Sequence, residues 1–297
     1  MFPSEAIAGH FYPPRNFGAI PSPYDDFDQA RAVILPVLYD STTDWRSGSR
    51  DGPGAIIESS QYIELYDFEM DREIYKVGIH TAPEVEPVMS GPEGMIQRVY
   101  EIIKYLNTQG KITCMLGGEH SLSLGPIRAH AEDHAGLTVL QLDAHSDLRD
   151  EYLGTSIGHA SVMRRAMELC PVVQVGIRSM SIDESRFIKE KKLEIFYGHH
   201  TIFNPPTIKK IVSRLNKKVY ITVDADVFDL GLVNAVGTPE PGGLSWYDVI
   251  SLVEAVAAQR EVVGFDVVEL CPREGTSAAP FVLARLAYKL IGLCCKP

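Results

Sequence analysis

Carboxylate and imidazole side chains follow three apolar, β-branched runs of this sequence, at 112–116, 137–142 and 219–223. Where a backbone is extended, residues at i, i+2 and i+4 point to one face, so the side chains of Asp143-Ala-His145-Ser-Asp147 would converge. The spacing recurs in Asp224-Ala-Asp226, and His120 follows Gly117-Gly-Glu. The six candidate ligands are His120, Asp143, His145, Asp147, Asp224 and Asp226. Four aspartates and two histidines at strand ends form a ligand set for two metal ions.

Charge and ligand type narrow the choice of metal. Buried carboxylates without a partner would be very costly, so cations are their natural partners, and four aspartates match two divalent ions. A set of mostly oxygen ligands with two imidazoles and no cysteine suits Mn²⁺ better than zinc, while Fe²⁺, Co²⁺ and Ni²⁺ stay open. Two neighbouring metals would lower the pKa of a bridging water and supply hydroxide at neutral pH. The pattern therefore predicts a hydrolase.

The elements that position these residues alternate along the chain between strand-like and helical patterns. Strand-like runs lie at 32–37, 112–116, 137–142, 172–177, 193–197, 219–223 and 262–266. Helical patterns lie at 121–134, 159–169, 182–191, 206–215, 246–258 and 278–293, and a further helix is predicted to begin with a capping box at Ser90-Gly-Pro-Glu93 and to continue to Gly110. This alternation predicts an α/β fold with a mostly parallel sheet between two layers of helices. Ligands then bind beyond the carboxyl ends of the strands.

The domain organisation is predicted to be simple. Residues 1–30 are rich in Pro, Tyr, Phe and Gly and are expected to form an irregular N-terminal arm. A polar loop is expected at 41–54, and residues 31–297 show no linker or internal repeat, so they are expected to form one domain.

Composition excludes several classes of partner. The net charge of −11 argues against nucleic acid and mildly favours small cationic partners. No apolar run approaches the roughly 20 residues that span a bilayer, so no membrane association is expected. The five scattered cysteines are typical of reduced thiols, and no signal peptide is evident at the start. We therefore expect a cytoplasmic protein.

Four motifs together resemble the signature blocks of the ureohydrolase (arginase/agmatinase) family. They are Gly117-Gly-Glu-His120, Asp143-Ala-His-Ser-Asp147, Asp224-Ala-Asp226 and Gly237-Thr-Pro-Glu-Pro-Gly-Gly243, and they run in the family's order. The resemblance extends from about residue 32 to the C-terminus. It implies an arginase-like three-layer α/β/α fold, two Mn²⁺ ions per subunit and hydrolysis of a guanidinium group to release urea. It also implies a homo-oligomer, either a trimer or a hexamer.

The resemblance also implies roles for individual residues. One Mn²⁺ would be held by His120, Asp143, Asp147 and Asp224, and the other by Asp143, His145, Asp224 and Asp226, with Asp143 and Asp224 as bridges. Asp147 would also hydrogen-bond the attacking hydroxide. Glu240 would accept hydrogen bonds from the substrate guanidinium, because a carboxylate can pair with it bidentately. Glu269 is expected to line the site. His159 stands where the family has a proton-shuttling histidine; the alternative is a histidine that begins a helix and takes no part in catalysis.

Other positions bear on the choice of substrate. Arginases bind the amino-acid end of arginine through polar residues, but here Ile157 stands where they carry Asn, and Ser179-Met-Ser181 replaces acidic residues. Since a zwitterionic end needs polar partners, these changes argue against arginine. We expect agmatine, cleaved to putrescine and urea as in polyamine biosynthesis. The segment 228–237 departs from the family through Leu230, Asn234 and Ala235, which keeps guanidinobutyrate and guanidinopropionate open as substrates.

Two other classes of function remain as alternatives. A metal-dependent amide deacetylase would share the general fold, but it normally needs one catalytic metal and lacks the second ligand set. A non-catalytic binding relative would be expected to have lost ligands, whereas all six are present here.

Overall fold

A sheet of eight parallel strands forms the centre of the molecule. The computed structural model describes residues 14–199, 204–273, 275 and 277–295. The strands of the sheet are β1 (Ala32–Val37), β4 (Ile79–Thr81), β5 (Ile112–Gly117), β6 (Leu137–Leu142), β7 (Val172–Ile177), β8 (Ile195–Tyr197), β9 (Lys218–Asp224) and β10 (Glu261–Val268). Between β1 and β4, the strands β2 (Tyr66–Asp67) and β3 (Arg72–Glu73) form a separate antiparallel pair.

The strand order across the large sheet is β4-β1-β5-β10-β9-β6-β7-β8, and every neighbouring pair is parallel. Strands such as β1 and β6 are buried at every position, as expected for a parallel sheet covered on both faces. The predicted α/β fold with a mostly parallel sheet and the three-layer α/β/α architecture is confirmed.

Helices cover both faces of the sheet. They are α1 (Gly52–Ser60), α2 (Pro92–Thr108), α3 (Leu124–Asp133), α4 (Val162–Ala166), α5 (Ile182–Lys191), α6 (Pro205–Arg214), α7 (Trp246–Gln259) and α8 (Ala278–Cys294). Alternate strand residues enter different cores: Ile34 belongs to the core under α1, α6, α7 and α8, whereas Leu35 packs with the residues of α2. The second face is completed by α3, α4 and α5.

Three sequence-based boundaries need correction. The capping box predicted at Ser90 is wrong. The helix α2 begins at Pro92, and its N-cap residue is Gly91, with φ 128°, so no side chain caps the first turn. The strand predicted at 193–197 begins two residues later, at Ile195, because Lys192, which follows α5, lies in the left-handed region. The predicted loop 41–54 also contains the first turn of α1. Pro53 is tolerated there because a backbone N–H in the first turn has no acceptor within the helix, so the missing N–H of proline costs no hydrogen bond.

The segment before β1 contributes to the main core. Residues 1–13 lie outside the described residues. Phe17 and Ile20 are fully buried and belong to the same cluster as Ile79 of β4. The division into an arm at 1–30 and a domain at 31–297 stays a prediction. In the described part of the chain, none of the helices combines the length and apolar character needed to cross a membrane.

Candidate metal centre

All six predicted ligands come from three strand ends at one edge of the sheet. His120 follows β5, Asp224 ends β9, and Asp143 follows β6. The order β5-β10-β9-β6 makes these strands close neighbours, and β10 between them delivers Glu269. Because the strands are parallel, their carboxyl ends meet at this edge. Sheet topology therefore brings together ligands as far apart in the sequence as His120 and Asp226.

One group of ligands surrounds His120. Its Nδ1 lies 3.1 Å from Asp143 Oδ2, 3.1 Å from Asp147 Oδ2 and 3.3 Å from Asp224 Oδ2. This nitrogen is buried and has no hydrogen-bond partner among the described residues. An orphaned buried imidazole nitrogen facing three carboxylates is the donor set that a divalent cation needs, so these residues fit a metal.

The second group shares Asp143 with the first. His145 Nδ1 lies 2.8 Å from Asp226 Oδ2 and 3.9 Å from Asp143 Oδ1. Ligand atoms of His120, Asp143 and Asp147 lie within 4.8 Å of one another, and so do those of Asp143, His145 and Asp226. Each of these two adjacent groups could hold one metal ion, and they have the carboxylate of Asp143 in common.

Electrostatics show why cations would stabilise this edge. Burial, with Asp147 and Asp226 nearby, raises the pKa of Asp143 to about 7. Burial and the carboxylates of Asp226 and Asp143 raise the pKa of Asp224 well above its usual value. Against the effect of burial, Asp226 raises the pKa of His145 to about 11. The site is thus too crowded with negative charge to ionise fully without positive partners.

The backbone of the first motif is not extended throughout, contrary to the condition under which its side chains were expected to converge. It bends at Ala144, where the backbone N–H of His145 donates to Asp143 Oδ1 at 2.6 Å. At Asp147, φ is 51°, which aspartate tolerates better than most residues. The turn, and not the period of a strand, brings Asp147 to His120.

A buried chain of hydrogen bonds orients His120 from behind. Its Nε2 lies 2.9 Å from Thr222 Oγ1, and the Thr222 hydroxyl donates to Asp266 Oδ1 at 2.6 Å. Because that hydroxyl proton is given to Asp266, Nε2 must be the donating nitrogen, which leaves the lone pair of Nδ1 for a metal. Gln141 orients Asp143 in a similar way, because its Nε2 donates a hydrogen bond to Asp143 Oδ2 at 2.7 Å.

This chain predicts an effect of Thr222→Val on metal binding. Without the acceptor, the tautomer and orientation of His120 are no longer fixed, so Mn²⁺ affinity should fall roughly 10- to 100-fold. Thr113→Val is the matched control, because the buried Thr113 hydroxyl has no hydrogen-bond partner among the described residues. Titration of the chelated proteins with Mn²⁺ checks this; equal affinities for the two variants would contradict the role of Thr222.

Glu240 lies next to the second group of ligands. Its Oε1 is 3.9 Å from His145 Nε2. The loop that carries it is fastened by Arg178, whose Nη2 donates to the carbonyl oxygens of Asp226 at 2.6 Å and Glu240 at 3.0 Å and whose Nε donates to that of Pro241. Arg178 thereby couples the position of the Glu240 loop to the end of β9.

Glu269 and His159 complete the predicted set. Glu269 Oε1 accepts a hydrogen bond from the backbone N–H of His120 at 2.6 Å, and burial raises the Glu269 pKa to about 8. Both residues line a cavity of about 270 Å³ that also reaches Asp147 and Asp224. His159 opens a single helical turn before α4, and its Nδ1 lies 3.0 Å from Thr42 Oγ1.

Sequence reasoning missed several supporting residues. Asp266 and Thr222 offered a signal, since each is a polar residue inside an otherwise apolar strand. Arg178 follows β7 directly, but its contacts to carbonyl groups of two other loops have no local signature. The atypical segment 228–237 is held by the buried side chains of Phe228 and Ala235.

Comparisons with known proteins agree with this geometry. The model of the arginase family matches residues 30–292. An N(1)-aminopropylagmatine ureohydrolase of Synechocystis sp. is 36% identical over 275 residues, which cover 90% of each chain. One from Thermus thermophilus is 39% identical over 280 residues, 93% of this chain and 94% of that protein. The crystal structure of the agmatine ureohydrolase of Thermoplasma volcanium has a TM-score of 0.85 at 29% identity and covers 97% of both chains. The chain therefore belongs to the arginase family of ureohydrolases.

Proposed function

We propose that this chain is a binuclear manganese hydrolase that cleaves the guanidinium group of agmatine or an N-substituted agmatine and releases urea. The observation that carries the proposal is the pair of ligand groups that share Asp143 at adjacent strand ends, with Glu240 beside them. The family supports a hydrolase acting on guanidino compounds. The metal identity and the substrate are our proposals.

The metal-holding residues would be His120, Asp143, Asp147 and Asp224 for one ion, and Asp143, His145, Asp224 and Asp226 for the other. Four carboxylates balance two divalent charges, and the oxygen-rich set favours Mn²⁺. When bound, such ions lower the pKa of water enough to supply hydroxide at neutral pH.

The remaining residues would bind substrate and move protons. The Glu240 carboxylate would pair with the planar guanidinium and hold its carbon over the ligand groups. Asp147 would pass a proton to the leaving amine nitrogen, and His159 would protonate the departing amine or restore the starting state. Asp147 and His159 line the same cavity of about 270 Å³, so both can reach a substrate bound there.

The argument against arginine as the substrate is that this chain lacks the polar residues with which arginases bind the amino-acid end of arginine. Ile157 and Ser179-Met-Ser181 occupy the places where arginases carry Asn and acidic residues. Agmatine lacks the α-carboxylate that such groups serve. The name of the Thermoplasma relative supports agmatine.

A specific observation favours the second candidate, N(1)-aminopropylagmatine, which the names of the Synechocystis and Thermus relatives also support. The exposed carboxylate of Asp44 stands at the mouth of the cavity and accepts a hydrogen bond from the Tyr152 hydroxyl. Arg46 and Arg149 at the same mouth lie over the rings of Trp45 and Tyr152, each 4.4 Å from the ring centre. The carboxylate of Asp44, held by the Tyr152 hydroxyl, would bind an ammonium group of a longer, polycationic substrate.

A panel of guanidines in Mn²⁺ tests the proposal. Urea release is measured with agmatine, N(1)-aminopropylagmatine, arginine, guanidinobutyrate and guanidinopropionate, and acetate release with an acetylated polyamine. We expect the highest kcat/KM with one of the two agmatines. If a metal-loaded protein releases urea from none of them, the proposed hydrolysis of a guanidinium group is wrong, and acetate release would favour the deacetylase.

We predict that Asp44→Asn separates the two agmatines. Loss of the carboxylate should lower kcat/KM for N(1)-aminopropylagmatine by about 3- to 10-fold, because an exposed charge pair contributes only about 1 kcal/mol. The effect on agmatine, which lacks the aminopropyl ammonium, should stay below about 2-fold. Glu151→Gln is the control, because Glu151 is an exposed carboxylate next to Tyr152 that does not line this cavity. Equal losses with both substrates would contradict an ammonium site at Asp44.

A cytoplasmic location and a trimeric or hexameric assembly remain predictions.

A further inference from the structure

We propose that Thr42 and Glu119 form a positioning relay that holds His159 with its proton on Nδ1, so that Nε2 is the atom that exchanges protons in the cavity. The catalytic part of this inference rests on the proposed function, in which His159 serves the departing amine. The tautomer itself follows from the hydrogen bonds of the three residues.

Glu119 is a fully buried carboxylate on which four donors converge. Its Oε2 accepts hydrogen bonds from the backbone N–H groups of Ser41 at 2.5 Å and Thr42 at 2.7 Å. Its Oε1 accepts from the Thr42 hydroxyl at 3.0 Å and from the Ser121 hydroxyl. Two donors on each oxygen fill the acceptor positions of the carboxylate, so Glu119 accepts at every one of these contacts. The hydroxyl proton of Thr42 is therefore committed to Glu119.

With its proton committed, Thr42 Oγ1 can only accept further hydrogen bonds. The backbone N–H of His159 donates to it at 3.0 Å, and His159 Nδ1 lies at 3.0 Å as well. The contact with Nδ1 is a hydrogen bond only if that nitrogen carries a proton. A neutral His159 is thus the Nδ1–H tautomer, the minor form of free imidazole side chains in water. Its lone pair is on Nε2.

Close backbone packing fixes the relay. A Cβ on Gly118 would lie 2.0 Å from the carbonyl oxygen of Tyr39, so only glycine lets the two loops approach. The N–H of Glu119 donates to that same carbonyl at 3.0 Å. On the other side, a Cβ on Gly158 would lie 3.2 Å from Thr42 Oγ1. The loop bearing Thr42 is thus held between the Gly117-Gly-Glu-His120 motif and the turn that begins at His159.

The relay defines the proton transfer. A proton taken from water onto Nε2 gives an imidazolium whose Nδ1–H stays bonded to Thr42, and the Thr42 hydroxyl stays bonded to Glu119. Transfer of the Nε2 proton to the departing amine restores the neutral Nδ1–H form, so the Nδ1 proton never leaves. Adjacent residues of one motif would then serve both halves of the site: His120 faces the metal group and Glu119 orients His159 through Thr42.

The kinetic test compares Thr42→Val, which keeps the shape but removes the hydroxyl, with Thr42→Ser, which restores it. We expect kcat of Thr42→Val to fall about 10- to 100-fold, with KM and Mn²⁺ content unchanged, and Thr42→Ser to stay within about 3-fold of the native enzyme. A merely structural role would instead change KM or metal content as well. Thr42→Ala replaces Thr42→Val if the latter does not fold.

The spectroscopic test is independent of activity. In chelated, ¹⁵N-histidine-labelled protein in alkaline buffer, the His159 signals are assigned by comparison with His159→Gln. We expect the Nδ1–H tautomer in the native protein and in Thr42→Ser, and the Nε2–H tautomer in Thr42→Val. An Nε2–H native form, or the same tautomer in all three proteins, would overturn the relay. A shifted tautomer with native kcat would overturn its catalytic part. Absence of urea release from the native enzyme belongs to the proposed function, and the tautomers still decide the relay.

Discussion

Asp143→Asn is expected to abolish tight metal binding and to lower kcat by roughly 10³-fold or more, since the hydrolytic hydroxide depends on the bound ions. Asp143 belongs to both ligand groups, with Oδ2 3.1 Å from His120 Nδ1 and Oδ1 3.9 Å from His145 Nδ1. One substitution therefore removes a ligand from each group and one negative charge from both.

The amide cannot take over the hydrogen bonds of this carboxylate. Asp143 Oδ1 accepts from the backbone N–H of His145, and Oδ2 accepts from Gln141 Nε2. Whichever way an asparagine is turned, its NH₂ group would face another donor, so its oxygen could not be presented to both sites. The motif would lose the geometry of its turn as well as its charge.

Elemental analysis after dialysis and the initial rate of urea release check this prediction. Asp28→Asn is the matched control, because it removes an exposed carboxylate outside the cavity. An Asp143→Asn enzyme that is active and holds its full complement of metal would contradict the binuclear assignment.

Chelation is expected to reduce urea release to background, and Mn²⁺ is expected to restore it at two ions per subunit. The reason is the donor set: four carboxylates carry more negative charge than one divalent ion neutralises, and the two imidazoles supply one nitrogen to each group of ligands. Zn²⁺ should restore less activity, because it favours tetrahedral sites richer in nitrogen and sulfur.

Bound metal should also stabilise the fold. At a free Mn²⁺ concentration 100 times the dissociation constant, binding to the native state alone contributes about 2.7 kcal/mol per site. For a chain of this size that raises Tm by roughly 4 °C for each occupied site, and by roughly 9 °C when both sites are filled. Calorimetry of chelated and reconstituted protein measures the shift, and Asp143→Asn, treated with the same Mn²⁺, is the control.

The stoichiometry decides between classes of enzyme. Full activity with a single equivalent of metal, and no further change in Tm at the second, would contradict the binuclear proposal and favour a deacetylase-like site. If the protein binds two equivalents of metal and releases no urea, it is a metal-binding relative without ureohydrolase activity.

Much of the local structure could be read from the sequence because its signals are local. An apolar, β-branched run specifies a buried strand, as β6 does between Leu137 and Leu142. An apolar residue every third or fourth position specifies a helix, as in α2. The boundary at Ser90 was wrong because Gly91 and Pro92 can begin a helix without a side-chain cap.

The positions that could hold metals were likewise visible from residue type, spacing and family resemblance. His120, Asp143, His145, Asp147, Asp224 and Asp226 lie at strand ends, as expected, and the structure brings them together in two groups. Their roles stay predictions until the metal content of the variants is measured.

The amino-acid sequence by itself determined most of the strands and helices, the ligand candidates and the class of reaction, because each depends on side-chain chemistry and on neighbours a few positions away; α1 and β4 were not predicted. Only the tertiary structure decided that β5, β10, β9 and β6 are adjacent, that a turn at Asp147 completes one group, and that Thr42 meets both Glu119 and His159. Those contacts join loops far apart in the chain. Their geometry arises from the packing of the whole sheet, for which no short stretch of sequence carries a signal.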